Sequence, residues 1–132
     1  MAIIYKTGII PSTASIIDVY NSSGINRPTD DPGRITKMYI GAGLVISAWD
    51  GEQLTGIARS LTDFCFCCYL ADLAVKKEYQ HLGIGRELVA LTRKEIGEQS
   101  MLLLIAVPEA VNYYPKLGME TVKDAFIYKR KH

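Results

Sequence analysis

The chain has 132 residues, with 15 basic and 14 acidic side chains and 48% apolar residues. That length suits one domain with a core of its own, and the net charge of +1 argues against the broad positive face that nucleic-acid and anionic-lipid binding require. Any anion this chain binds must therefore be held by a local site.

Residues 3–7 (IIYKT) read as a short strand, and Pro11, Ser12 and Thr13 supply a turn and a cap for a first helix over about 12–21. Residues 21–33 are rich in Ser, Asn, Pro, Asp and Gly, which favour turns, so this stretch reads as a loop and a candidate substrate lip. Asp30 or Asp31 can cap a second helix with Pro32 just inside it, running to Ile40. Leu44 to Trp49 reads as a strand ended by the hairpin pair Asp50-Gly51, with Gln53 to Leu61 returning as its partner. Thr62-Asp63 turns the chain again into Phe66 to Val75, apolar and aromatic as a central strand should be. The period then changes. Ile84, Leu88 and Leu91 recur at helical spacing between Gly83 and Ile96, with Arg86, Arg93, Lys94 and Glu95 as the polar complement. Residues 101–106 read as a buried strand parallel to Phe66–Val75, completing a strand, helix, strand crossover. Glu109 to Lys116 reads as a short helix stopped by Gly118, and Thr121 to Arg130 as one or two closing strands. The expected class is mixed α/β: one domain over 1–132, with a mostly antiparallel central sheet flanked by helices.

Lys6 and Pro11 interrupt the N-terminal isoleucines, which reads as a strand in place of a signal peptide. No stretch approaches the ~18 uncharged apolar residues of a membrane span. The three cysteines, Cys65, Cys67 and Cys68, are odd in number and too close together for a disulfide framework. Reduced thiols and a cytosolic setting are expected. C-x-C-C also lacks the paired C-x-x-C spacing of tetrahedral metal sites, so no metal is expected.

The chemistry-bearing stretch is the strand Tyr69-Leu70-Ala71-Asp72-Leu73-Ala74-Val75, followed by Gln80-His81-Leu82-Gly83-Ile84-Gly85-Arg86. A strand that runs into glycines opening a helix leaves successive amides unpaired and able to converge on an anion, with the helix dipole adding to the attraction. Glycine at 83 and 85 removes the Cβ that would hold a diphosphate away from the backbone. The dinucleotide fingerprint fails because its third glycine is Leu88, and the P-loop fails because Gly85-Arg86-Glu87 lacks the Lys-Ser/Thr pair. A plain strand-to-helix turn is the alternative for an isolated Gly-x-Gly.

The motif is not isolated. Q-x-x-G-x-G after a Leu-Ala-Val strand resembles the coenzyme A pyrophosphate loop of the GCN5-related N-acetyltransferases (GNAT). Ala110-Val111-Asn112-Tyr113-Tyr114-Pro115-Lys116-Leu117-Gly118-Met119 resembles that superfamily's A-x-x-F-Y-x-K-x-G-F signature, in family order and over nearly the whole chain. The resemblance implies the GNAT fold, a mixed sheet whose fourth and fifth strands splay apart around the pantetheine arm. It puts the diphosphate on the amides of His81, Leu82, Gly83, Ile84, Gly85 and Arg86, with Gln80 at the mouth of the loop. It puts Leu73, Ala74 and Val75 against the pantetheine and acetyl group, with an amide near Leu73 as oxyanion donor. Tyr114 matches the family's general acid, and a phenol with an ordinary pKa near 10 is protonated at neutral pH.

Several positions depart from the family pattern. Val107 stands where Asn is usual, with Asn112 as a candidate substitute for that pantetheine contact, and Met119 replaces Phe. Pro115 would sit inside a helix, which predicts a late start or a kink there. Tyr69 and Ala71 occupy strand positions where related enzymes often carry Glu, leaving Asp72 as the nearest candidate base; a hydrogen-bonded structural carboxylate is the equal alternative for it. Asp30, Asp31 and Asp63 fit capping or turn roles better. The resemblance implies transfer of acetyl from acetyl-CoA to a primary amine by direct attack, with no metal. The missing Glu favours a second reading, a coenzyme A sensor without turnover. Dimerisation, common in that superfamily, is an expectation that no single residue here specifies. The acceptor is not legible.

Overall fold

The computed structural model describes residues 2–132. Strands β1 (Ile3–Thr7), β2 (Leu44–Asp50), β3 (Gln53–Thr62), β4 (Cys67–Val75) and β5 (Met101–Leu103) form one sheet in the order β1-β2-β3-β4-β5. The first four are antiparallel neighbours, and β5 runs parallel to β4. Helices α1 (Thr13–Ser23) and α2 (Pro32–Ile40) precede β2, and α3 (Ile84–Ile96) makes the crossover from β4 to β5. The mixed α/β class, the sheet and its three helices follow the sequence reading.

Local chemistry sets the element ends. Ser12 caps α1 by accepting from the Ser15 amide at 3.2 Å, and Gly24, at φ 82°, ends it. Asp31 caps α2 through the Arg34 amide at 3.1 Å, with Pro32 opening the helix where its missing N–H is harmless. Burial divides the apolar residues between the two sheet faces. Ile46, Ala48, Ala58, Cys68 and Leu70 pack with Ile84, Leu88, Val89 and Ile96 of α3 on one face. Val45, Leu54, Ile57 and Ala74 pack with Ile16, Val19, Tyr20, Ile35 and Tyr39 of α1 and α2 on the other. Gly56 lets α3 lie close on the sheet: a Cβ there would come within 3.0 Å of the Ile84 Cγ2 and 3.3 Å of the Leu88 Cδ1.

Three expectations for the C-terminal third are corrected. Glu109 to Lys116 is not one helix but two short 3-10 turns, Pro108–Ala110 and Tyr114–Leu117. Pro115, with no N–H and a ring that crowds the preceding turn, keeps the segment from continuing as an α-helix. Residues 121–130 form no strand, and every residue from 121 to 132 is exposed, Phe126 and Tyr128 almost completely. Strand-forming side chains do not make a strand without a paired edge, and β5 ends at Leu103, short of the expected 106.

Candidate active site

The site begins where β4 and β5 stop pairing. Their register covers only Cys67↔Met101, Cys68↔Leu102 and Tyr69↔Leu103, although β4 continues to Val75. Just past that point β4 carries a bulge: Leu70 pairs with Ser60 and Asp72 with Arg59, so Ala71 has no opposite residue. An inserted residue inverts the facing of everything after it. Cys68 and Leu70 point to the α3 face, whereas Asp72 and Ala74 point to the α1/α2 face, and Leu73 and Val75 pack toward α3.

The backbone follows the same logic. The Lys76 amide donates to the Thr55 carbonyl of β3 at 2.8 Å. Counting back by alternation, Ala74 and Asp72 turn their peptide groups to β3, while the N–H of Leu73 and of Val75 turn toward the open side. Because a trans peptide sets C=O and the next N–H in opposite directions, the Ala71 carbonyl also faces the gap. Leu73 thus presents an N–H where the ladder has ended.

Beyond Val75 the chain makes a 3-10 turn, Lys77–Tyr79, whose Tyr79 hydroxyl donates to Asp50 at 2.7 Å and fastens the loop to the β2–β3 hairpin. The Gln80 side chain donates to the Val75 carbonyl at 3.0 Å, tying the loop back to the strand end. His81 (φ 68°) and Gly83 (φ 82°) are both left-handed, so the chain curls into the first turn of α3. Among the described residues, none of the six amides from His81 to Arg86 donates to a protein acceptor. The first to do so is Glu87, to the Gly83 carbonyl at 3.0 Å. Gly83 supplies no side-chain cap. These amides, at the positive end of a 13-residue helix, form a donor set suited to an anion. Leu82 and Arg86 are exposed at its rim, and Ile84 is buried beneath it.

The downstream motif folds back onto this helix start. The Tyr113 hydroxyl lies 3.5 Å from where a Cβ on Gly85 would stand, with the Val75 Cγ2 at 3.9 Å. Tyr113 and Tyr114 pack edge to face, 5.2 Å between ring centres. Burial pushes the Tyr114 phenol above its ordinary 10.0, and the neighbouring Tyr113 adds to the rise. Tyr113 is raised by burial too, against the pull of Arg86. Asn112 is exposed. The position of Tyr113 was not anticipated; the doubled tyrosine was the only signal, and sequence alone cannot say which ring turns toward α3.

Asp72 has a different setting from the one a base requires. It is 1% exposed, and both its oxygens are engaged. Arg27 Nε donates to one, Arg59 Nε to the other, and the Tyr20 hydroxyl also donates to the latter at 2.9 Å. The Tyr20 and Tyr39 hydroxyls are bonded to each other, and burial holds both phenols well above their ordinary pKa. Burial opposes the Arg59 charge, but Asp72 more than offsets it and raises its pKa. The network ties α1, α2 and the loop between them to β3 and β4. Neither Arg27 nor Arg59 was singled out from the sequence, since isolated arginines carry no spacing signal. Asp31 caps α2, and Asp63 accepts from the amides of Cys65, Phe66 and Cys67 at 2.8–3.1 Å. Asp30 is exposed on the loop between α1 and α2.

The fold is a five-stranded mixed sheet that opens beside a bulge, over a helix whose first amides are unengaged. The chain belongs to the GNAT acetyltransferase family: the acetyltransferase (GNAT) domain model matches residues 30–130. It is 35% identical over 95 residues to GCN5-related N-acetyltransferase 2, chloroplastic, of Arabidopsis thaliana, covering 61% of this chain and 36% of that protein. The fold matches that of a probable acetyltransferase of unknown function from meticillin-resistant Staphylococcus aureus, with a TM-score of 0.81, 22% identity, and coverage of 96% of this chain and 99% of that one. It also matches an aminoglycoside N-acetyltransferase, AAC(6')-Iy, in complex with CoA, with a TM-score of 0.73, 13% identity, and coverage of 99% and 96%. The chain spans about a third to a half of the length of the curated relatives it matches.

Proposed function

We propose that this chain transfers an acetyl group from acetyl-CoA to a primary amine. The observation that carries the reading is the run of unengaged amides from His81 to Arg86 at the start of α3, the feature a coenzyme A diphosphate requires. Gly85 leaves room for the diphosphate to approach the backbone. The pantetheine arm would follow Leu73, Ala74 and Val75 along the open edge of β4. No metal is part of the proposal.

In the proposed reaction the amine nitrogen attacks the thioester carbonyl carbon, and the oxygen that gains charge is met by the Leu73 N–H. The C–S bond then breaks, and Tyr114 gives its phenolic proton to the departing thiolate. The raised pKa keeps the phenol in its protonated form at neutral pH, the form in which it can donate. Asp72 does not act as the proton acceptor, because both of its oxygens are held by arginines and it is closed to solvent. The amine proton passes to water in the cleft, and water returns a proton to the Tyr114 phenolate.

Tyr114→Phe should lower kcat about 10²-fold or more while changing acetyl-CoA affinity less than about threefold; Tyr113→Phe serves as the neighbouring control. Unchanged turnover in Tyr114→Phe removes the acid role. Because its pKa lies above 10.0, the phenol stays protonated below that value, so titration of Tyr114 should not depress kcat on the alkaline side short of pH ~10. The occupied Asp72 favours one other reading, a coenzyme A sensor without turnover. Saturable acetyl-CoA binding without thiol release across a broad amine panel would select it.

A further inference from the structure

The Asp72 network carries a charge imbalance at the mouth of the gap. Two guanidinium groups meet one carboxylate, and among the described residues no other acidic side chain pairs with Arg27 or Arg59. Arg59 is deep, its side chain 11% exposed and over the Tyr39 ring, whereas the Arg27 side chain is 26% exposed. Arg27 comes from the loop between α1 and α2. Besides Asp72 it donates to the Asn26 carbonyl at 2.7 Å and to the Ala71 carbonyl at 2.8 Å. The bulge turns the Ala71 carbonyl toward the gap, so the Arg27 guanidinium sits at the gap edge. Three of its five N–H donors are used there, which leaves two. A planar cation with spare donors and net uncompensated charge is matched by a carboxylate.

The position along β4 decides which end of the reaction this cation serves. Four residues separate Ala71 from Val75, roughly 13 Å of strand, so Arg27 lies well away from the diphosphate loop. Two residues separate Ala71 from Leu73, roughly 7 Å, about the reach of a small amino acid from its carboxylate to a thioester carbon beside the Leu73 N–H.

We infer that the amine acceptor is a small molecule carrying a carboxylate near its amino group, and that Arg27 is the specificity-determining residue that binds this carboxylate. The inference rests on the acetyl-transfer reading and deepens it. A protonated diamine would instead meet like charge at this edge, at a cost that disfavours it.

The test uses the whole chain with acetyl-CoA and a panel of α-amino acids, each assayed beside its α-amide and its decarboxylated amine. At least one amino acid should be acetylated with kcat/KM tenfold or more above its amide and its amine. Arg27→Gln should bring that ratio close to one through KM while acetyl-CoA affinity stays within threefold, and Arg27→Lys should keep part of it. In the coenzyme A-loaded protein, the favoured amino acid should also shift the Arg27 Nε–Hε resonance, which the amide leaves in place. Equal or better use of amides and plain amines overturns the inference and leaves acetyl transfer standing, as does a panel in which no acid moves that resonance. Failure of acetyl-CoA itself to bind overturns the acetyl-transfer reading and the acceptor assignment with it.

Discussion

Asp72 shows how one residue type supports opposite readings until its neighbours are known. A carboxylate on a central strand beside a transfer site suggests a base; a carboxylate held between two guanidiniums and a phenol is an anchor. Asp72→Asn keeps the shape but leaves both arginines without a counter-charge in a largely buried setting, so it should destabilise the fold by about 3–5 kcal/mol, measurable by urea denaturation. A loss below about 1 kcal/mol would mean that the network is held mainly by its backbone contacts. Gly85 gives the complementary test. A Cβ there meets only ordinary contacts, 3.5 Å from Tyr113 and 3.9 Å from Val75, so Gly85→Ala should leave stability within about 0.5 kcal/mol. It should nonetheless weaken acetyl-CoA binding by about tenfold, about 1.4 kcal/mol, by filling the approach to the donor loop. Calorimetry that finds unchanged affinity would place the diphosphate elsewhere.

At the scale of elements, the β3–β4 turn and the β4 bulge shape the sheet in different ways. The turn is organised by Asp63, whose carboxylate accepts from three successive amides and is thereby held well below the usual carboxylate range. Because the folded pKa is lowered, this cap contributes above the unfolded value of 3.8 and is lost only as pH falls through the lower folded value. The amide shifts of Cys65, Phe66 and Cys67 should therefore hold steady as pH drops past 3.8 and move only in stronger acid. A midpoint at or above 3.8 would show that the three bonds do not persist in solution. The bulge has no such local sign. Residues 66–75 read as one unbroken strand, apolar and aromatic, yet the facing inverts at Ala71, and that inversion turns the Leu73 N–H and the Ala71 carbonyl toward the gap.

For the molecule as a whole, ligand binding should appear as stability. A ligand that binds only the folded chain adds RT ln(1 + [L]/Kd), about 2.7 kcal/mol at a hundred times Kd. Acetyl-CoA should accordingly raise Tm by several degrees in a concentration-dependent way, and Gly85→Ala should shift that dependence to higher ligand. A Tm insensitive to millimolar acetyl-CoA would remove the basis of the proposed function. The two cores, one on each face of the sheet, share the strands β2, β3 and β4, and β4 also carries the Ala71 carbonyl that Arg27 of the α1–α2 loop holds.

Much of this was legible in the amino-acid order, because it rests on short-range physics. Caps at Ser12 and Asp31, the hairpin at Asp50-Gly51, the helical period after Gly83 and the glycines that open α3 are set by residues within a few positions of one another. What required the tertiary structure depends on partners far apart in the chain. Arg27 reaches Asp72 across 45 positions and Tyr20 reaches it across 52, and it is their meeting that turns a candidate base into a buried anchor. The C-terminal third divides on the same ground. Its proline was visible and its departure from a helix could be foreseen, but whether its apolar tail became strand depended on a paired edge that β5, three residues long, does not provide.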